Sequence, residues 1–261
     1  NIKVDIMSAL PGQTLAGYRQ TLERILSLEP PPEHISAYSL ILEEGTPLFE
    51  RYEEGSLDIP DEDTDRGMYE LTQEILAERG YRRYEISNYA REGYECRHNC
   101  GYWRRRSYLG FGLGAASLVD NVRFRNGADL RAYLADPLGC REEEQILSRQ
   151  EQMEEFMFLG LRMRSGISCG EFRQLFGQGI EEIYGDVIDK NIRDGLLELW
   201  PEGEGAGESL RRPGGREDRG YMSAQDGQDR RHERGHVRTG RLALTEKGLD
   251  LSNYVMAQFL L

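Results

Sequence analysis

The sequence predicts an α/β half, the later part of a larger barrel, followed by a mainly helical C-terminal domain of winged-helix-like outline. Three observations carry this expectation. Strand-like apolar runs alternate with amphipathic helical runs between Val4 and Tyr89. From Ser148 the apolar spacing turns helical, with Met153, Phe156, Met157, Leu161 and Met163 on one stripe. Two short apolar runs, Gly195 to Leu199 and Arg241 to Leu244, then read as partner strands on either side of a long polar insertion. The division is expected between residues 147 and 148, giving domains 1–147 and 148–261.

The first strand, Val4 to Leu10, ends in the turn Leu10-Pro11-Gly12-Gln13-Thr14. Thr14 is placed to cap the next helix through its hydroxyl. That helix carries Leu15, Tyr18, Leu22, Ile25 and Leu26 on one face, and Pro30, Pro31 and Pro32 stop it. His34 to Leu42 is a second strand. Asp61 to Arg79 is a second helix, opened by acidic residues and closed by Gly80. Tyr84 to Tyr89 is a third strand. Buried strands separated by helices imply parallel pairing and right-handed crossovers. Three strands are too few to close a barrel. The chain opens on Asn1 and enters a strand at once, so a preceding segment is expected.

The run Leu109 to Ser117 is rich in glycine and lets backbone approach a ligand or a neighbouring strand closely. Val122 to Arg125 is a short strand and Asp129 to Leu134 a helical turn. On the helix after Ser148, Glu151, Glu154 and Glu155 mark the polar side. Cys169 to Phe176 and Ile180 to Arg193 continue as helices. The two later strands form a two-stranded ribbon, and Thr245 caps a last helix running to Phe259. Between the ribbon strands, residues 201–240 are rich in Gly, Arg, Glu and Asp. They lack the apolar side chains needed to offset ordering entropy and read as a disordered wing insertion. His232 and His236 within it read as solvated polar residues rather than metal ligands.

The net charge of −13 repels phosphate backbones, which excludes a general nucleic-acid binder and argues against a DNA-binding role for the winged-helix-like half. No apolar run reaches bilayer length and no cleavable leader is visible, so a cytoplasmic location is expected. Cys96, Cys100, Cys140 and Cys169 are few and irregularly spaced. They fit reduced thiols better than a disulfide framework.

Residues 96–103 read CRHNCGYW. A structural zinc site needs four ligands, and no second cysteine pair stands at suitable spacing. Cys96 and Cys100 match two positions of a Cys-x3-Cys-x2-Cys iron–sulfur loop, but Trp103 fills the third and cannot ligate iron. That leaves His98, Asn99, Tyr102 and Trp103. A neutral imidazole is a good axial ligand for heme iron. Tyr102 and Trp103 offer flat apolar surface, and Asn99 can orient the loop by hydrogen bonding. Alone, a histidine beside aromatics is more often a hydrogen-bonded structural residue.

These residues belong to a larger set. His98-Asn99-Cys100-Gly101-Tyr102-Trp103 resembles the HNxxYW signature of the HemW family of heme chaperones. That family is related to oxygen-independent coproporphyrinogen III oxidase and belongs to the radical-SAM superfamily. Val4 to Thr14 (VDIMSALPGQT), His34 to Leu40 (HISAYSL) with Glu44-Gly45-Thr46-Pro47, Tyr84 to Ala90 (YEISNYA), the glycine-rich run, and Leu244 to Gly248 (LTEKG) with Asn253 resemble further family segments in the same order. Ser8 and Ala9 depart from the family's usual Tyr and Gly.

The resemblance implies a partial TIM-like radical-SAM barrel followed by the family's C-terminal domain. It implies heme bound through His98, with Asn99, Tyr102 and Trp103 around it. Asp5, Tyr38 and Leu40 match positions that contact S-adenosylmethionine. Local backbone bonding is an equal alternative for Asp5, and core packing is an alternative at least as strong as ligand contact for Tyr38 and Leu40. A 4Fe-4S cluster is implied for the intact protein, but its cysteine loop is absent from this chain, so no catalytic residue is assigned and the chain by itself is expected to be inactive. The implied role is heme delivery to respiratory proteins, with peripheral association with membrane proteins. The alternative is coproporphyrinogen oxidation in porphyrin biosynthesis.

Overall fold

The computed structural model describes residues 1–201 and 238–261. Most of the expected wing insertion, with His232 and His236, lies outside the described residues. The chain divides into two compact units, residues 1–97 and 98–261.

The first unit holds one sheet in the order β1-β2-β4-β3. Its strands are β1 (Lys3–Ser8), β2 (His34–Ser39), β3 (Arg82–Arg83) and β4 (Asn88–Ala90). Its helices are α1 (Leu15–Leu26), α2 (Pro47–Glu53) and α3 (Glu62–Glu78). Thr14 caps α1 by accepting from the Gly17 N–H. Asp61 does the same for α3 through the Thr64 N–H. On α1 the buried residues are Tyr18, Leu22 and Leu26, whereas Leu15 is exposed. The helix ends at Leu26, before the prolines are reached.

Alternation along the strands gives the sheet two different faces. Ile6, Ile35 and Tyr89 turn towards α1 and α3 and pack with Tyr18, Leu22, Met68, Leu71 and Leu76. Each such side chain, once buried, contributes about 1.5–3 kcal/mol. The register sets Asp5 beside Ser36, Met7 beside Tyr38, and Ser36 beside Asn88 on the other face. That face is polar even where it is buried: His34, Ser36 and Asn88 are all inaccessible.

The expected parallel order fails at the third strand. β1 and β2 are parallel, but β4 runs antiparallel to β2 and forms a hairpin with β3. The segment Tyr84–Ser87, read from sequence as strand, is the reversal. The Glu85 carboxylate accepts from the Ser87 N–H at 2.9 Å and from the Asn88 amide, while Arg83 donates to the Ile86 carbonyl at 3.0 Å. Polar side chains turn the chain where apolar spacing suggested it ran straight.

The second unit begins with α4 (Arg97–Trp103, whose first residue closes the first unit). An antiparallel meander β5 (Ala116–Val119), β6 (Val122–Asn126) and β7 (Arg141–Ile146) follows, with α5 (Leu130–Ala135) between the last two strands. Asp120 and Asn121 join β5 to β6 with φ +50° and +63°, the left-handed pair that suits a two-residue hairpin. Gly110 lies so close to β5 that a Cβ would collide with the Ala116 carbonyl. β7 is outermost and exposed along its whole length.

The C-terminal part comprises α6 (Arg149–Gly160), β8 (Ile167–Ser168), α7 (Cys169–Phe176), α8 (Ile180–Arg193), β9 (Leu197–Trp200), β10 (Arg241–Leu244), α9 (Glu246–Asp250) and α10 (Ser252–Ala257). Ser148 and Glu151 form a capping box at α6. Phe172, Tyr184 and Phe259 form the aromatic centre of the core, with ring spacings of 6.2 and 5.4 Å. The expected two-stranded ribbon is a three-stranded sheet, β8-β10-β9. Gly166, at φ +60°, packs against the Leu242 carbonyl where no side chain fits, and this brings β8 to the ribbon. The single last helix is broken at Leu251 (φ −108°, ψ 25°), which lets Val255 and Phe259 reach the core. Glu155, assigned to the polar side of α6, is buried.

Candidate functional site

The residues singled out from sequence fall in two places, one in each unit. In the first unit, Asp5 and Tyr38 stand on the polar sheet face, and both are exposed. Asp5 pairs with Lys3 at 3.4 Å, and more than half of its side chain remains accessible. It is therefore available to accept from hydroxyl groups of a ligand. Leu40 is half-buried just past β2, and its N–H is committed to the Ser8 carbonyl at 3.0 Å.

The same face carries a linked pair that sequence reasoning missed. His34 Nε2 meets the Tyr84 hydroxyl at 2.8 Å, and that hydroxyl accepts from the Cys96 N–H at 3.3 Å. Burial pushes the His34 pKa below its ordinary value, so the ring is held neutral. His34 Nδ1 is buried without a hydrogen-bond partner. The signal in the sequence was a histidine opening a buried strand, but nothing there paired it with Tyr84.

In the second unit, residues 97–103 are the helix α4 and not a loop. Helical spacing places His98 and Tyr102 in one row, Asn99 and Trp103 in the next. His98 is exposed; its ring sits edge-on to Tyr102 at 4.6 Å, and Tyr102 meets Tyr108 at 4.6 Å in the same manner. Burial raises the Tyr108 pKa, so this row ends in a neutral phenol. Neither nitrogen of His98 has a hydrogen-bond partner among the described residues. The amide of Asn99 likewise bonds to none of them: on a helix it does not perform the loop-orienting role expected for it. Trp103 faces a different environment. Arg162 lies over its ring at 4.2 Å, and its indole N–H is buried without an acceptor.

The helix ends in a Schellman-type turn: the Arg106 N–H bonds to the Gly101 carbonyl and the Arg105 N–H to the Tyr102 carbonyl, each at 3.0 Å. Arg105 occupies the position where glycine is usual, with φ +49°. Its guanidinium donates to Glu155 at 2.8 Å and to Asn121 at 3.0 Å. Arg123 joins the same carboxylate at 2.7 Å. The buried Glu155 thus holds an otherwise disfavoured turn in place.

All four cysteines are free thiols. Among the described residues no three His, Cys, Asp or Glu side chains gather so as to hold a metal ion. The described residues therefore offer no ligand set for a 4Fe-4S cluster. Among the described residues no helix is long and apolar enough to cross a membrane.

Comparison with known proteins places these features. Residues 147–203 match the HemN C-terminal domain family. Over its full length the chain is 35% identical to the heme chaperone HemW of Lactococcus lactis subsp. lactis (strain IL1403), covering 59% of that protein. It is 34% identical to HemW of Bacillus subtilis (strain 168) over 76% of this chain and 52% of that protein. With radical S-adenosyl methionine domain-containing protein 1, mitochondrial, of Danio rerio it shares 34% identity over 76% of this chain and 51% of the other. The chain therefore spans between half and three-fifths of the length of these three relatives. Its fold matches the structure of coproporphyrinogen III oxidase (HemN) from Escherichia coli, described as a radical SAM enzyme. The TM-score is 0.66 at 16% identity, covering 99% of this chain and 54% of that one. Taken with the HNxxYW helix, these matches show that the chain is similar to part of the heme chaperone HemW, that residues 147–203 carry a HemN C-terminal domain, and that the fold is that of HemN.

Proposed function

We propose that this chain is part of a heme chaperone in which His98 ligates the heme iron. The observation that carries the reading is the exposed imidazole of His98, with no hydrogen-bond partner among the described residues and edge-on support from Tyr102. An axial ligand needs a free ring nitrogen and a fixed ring plane, and this one has both. Asn99 and Trp103 stand on a second row of α4, about 100° round the helix from it.

The likeness to HemW and to radical S-adenosyl methionine domain-containing protein 1 supports a 4Fe-4S cluster and S-adenosylmethionine in the whole protein. Asp5, Tyr38 and Leu40 are its candidate contacts, Asp5 through an accessible carboxylate on the polar sheet face. Cluster ligation is not assigned to this chain, and no radical step is derived from its residues. The functional boundary in this reading lies at residues 147/148, and the HemN C-terminal domain match over residues 147–203 supports it. Delivery of heme to respiratory proteins, in the cytoplasm and at the periphery of membrane proteins, completes the reading.

The test is a hemin titration followed in the Soret band. The chain is expected to give a saturable shift that His98→Ala loses or weakens at least tenfold. Equal shifts and affinities in the two proteins would remove His98 from the iron.

A further inference from the structure

Beside α4 the second unit contains a cavity of about 480 Å³. Its apolar wall includes the Trp103 ring, Phe156 and Met163, and its rim carries Arg104, Arg106 and Arg241 against Glu171. In a chain with a net charge of −13 this is a local excess of cations. Their bonding differs. Arg105, also at the rim, is committed to Glu155 and Asn121. Arg241 is tethered to the Ser165 and Gly166 carbonyls at 2.7 and 2.8 Å. Arg104 and Arg106 are exposed and make no side-chain hydrogen bond or ion pair among the described residues. The indole N–H of Trp103 adds a buried donor without an acceptor.

Two uncommitted guanidiniums, an unsatisfied indole N–H and a flat apolar wall suit a planar apolar body with carboxylate arms. We propose that this cavity takes the propionate carboxylates of the porphyrin, with Arg104 and Arg106 pairing the charge and Trp103 Nε1 donating to a carboxylate oxygen. The inference rests on the heme reading above and extends it from the iron to the acidic edge of the ligand.

Metal-free protoporphyrin IX separates the two claims, because it carries the carboxylates and no iron. Its binding, followed by fluorescence, is expected to be the same for the parent chain and His98→Ala. Arg104→Gln/Arg106→Gln should weaken it at least tenfold, and Trp103→Phe should weaken it by a smaller factor. Protoporphyrin IX dimethyl ester should bind poorly to all of these proteins. Both arginines are exposed and unpaired among the described residues, so the double variant is expected to keep the parent's thermal midpoint. Equal binding of the acid and its ester, or an unchanged affinity in the double variant, would overturn the proposal. The hemin titration of His98→Ala reports the iron ligand separately, so either claim can fail while the other stands.

Discussion

Replacing Glu155 by alanine tests whether the buried ion pairs fix the turn that ends α4. The carboxylate is 7% exposed and accepts from Arg105 at 2.8 Å and Arg123 at 2.7 Å. The two arginines respond differently to its loss. The Arg123 side chain is 41% exposed and regains water, whereas Arg105 is 10% exposed and does not. Stranding one buried charge costs about 3–5 kcal/mol, and with only Arg105 stranded the lower figure is expected. At about 2–4 °C per kcal/mol for a domain of this size, Glu155→Ala should lower the melting temperature by about 6–12 °C. Glu155→Gln retains one acceptor and should cost less, about 1–3 kcal/mol. The assay is thermal and urea unfolding of the parent, Glu155→Ala, Arg105→Ala and the double variant, combined as a cycle. A coupling of at least about 1 kcal/mol is expected. A Glu155→Ala loss below about 1 kcal/mol, or a cycle that closes to zero, would refute the reasoning.

Tyr84→Phe removes the hydroxyl that His34 Nε2 and the Cys96 N–H share, leaving a buried imidazole with neither nitrogen partnered; a loss of about 1–3 kcal/mol in urea unfolding is expected. The parent should lose stability in acid for a related reason. Burial keeps the folded His34 pKa below the ordinary value of 6.5, so the unfolded chain takes up a proton that the folded chain refuses. The contribution is complete above that pH. It falls as pH drops through 6.5 and levels off once the folded ring titrates too. A flat profile across this window, after correction against His34→Gln, would contradict the assignment. Gly166→Ala places a side chain at φ +60° against the Leu242 carbonyl. It should destabilise by more than about 1 kcal/mol, with amide exchange faster at Ile167 and Leu242, the pair that joins β8 to β10.

Much of this architecture was legible where local chemistry decides it. Thr14 and Thr245 announce helix starts because a hydroxyl before an apolar periodic run satisfies orphan N–H groups in any tertiary context. Cys169–Phe176 and Ile180–Arg193 were read to the residue for similar reasons. The failures lie where side chains far apart in sequence cooperate. Tyr84–Ser87 has strand composition, yet Glu85 and Arg83 fold it into a reversal. Glu155 reads as solvent-facing until Arg105 and Arg123 arrive from elsewhere in the chain. At the candidate site, His98, Tyr102 and Trp103 were legible as a group, but the segment reads as a loop and the His98–Tyr102 row appears only once it is the helix α4. The separate surroundings of Trp103 depended on Arg162, almost sixty residues away. The Arg104–Arg106 run was visible in the sequence, but which of its members remain uncommitted is a property of the folded chain.

The outer strand of the meander, β7, has its own bearing on how copies of this protein meet. Glu142, Glu143 and Glu144 follow one another along an open margin. A second molecule adding itself there strand to strand would lay carboxylates against carboxylates, and such a margin resists templated growth. Because this resistance is Coulombic it fades as the Debye length shrinks, from about 10 Å at 0.1 M salt to about 3 Å at 1 M. Concentrated salt, commonly added to keep proteins apart, would here lower the fence.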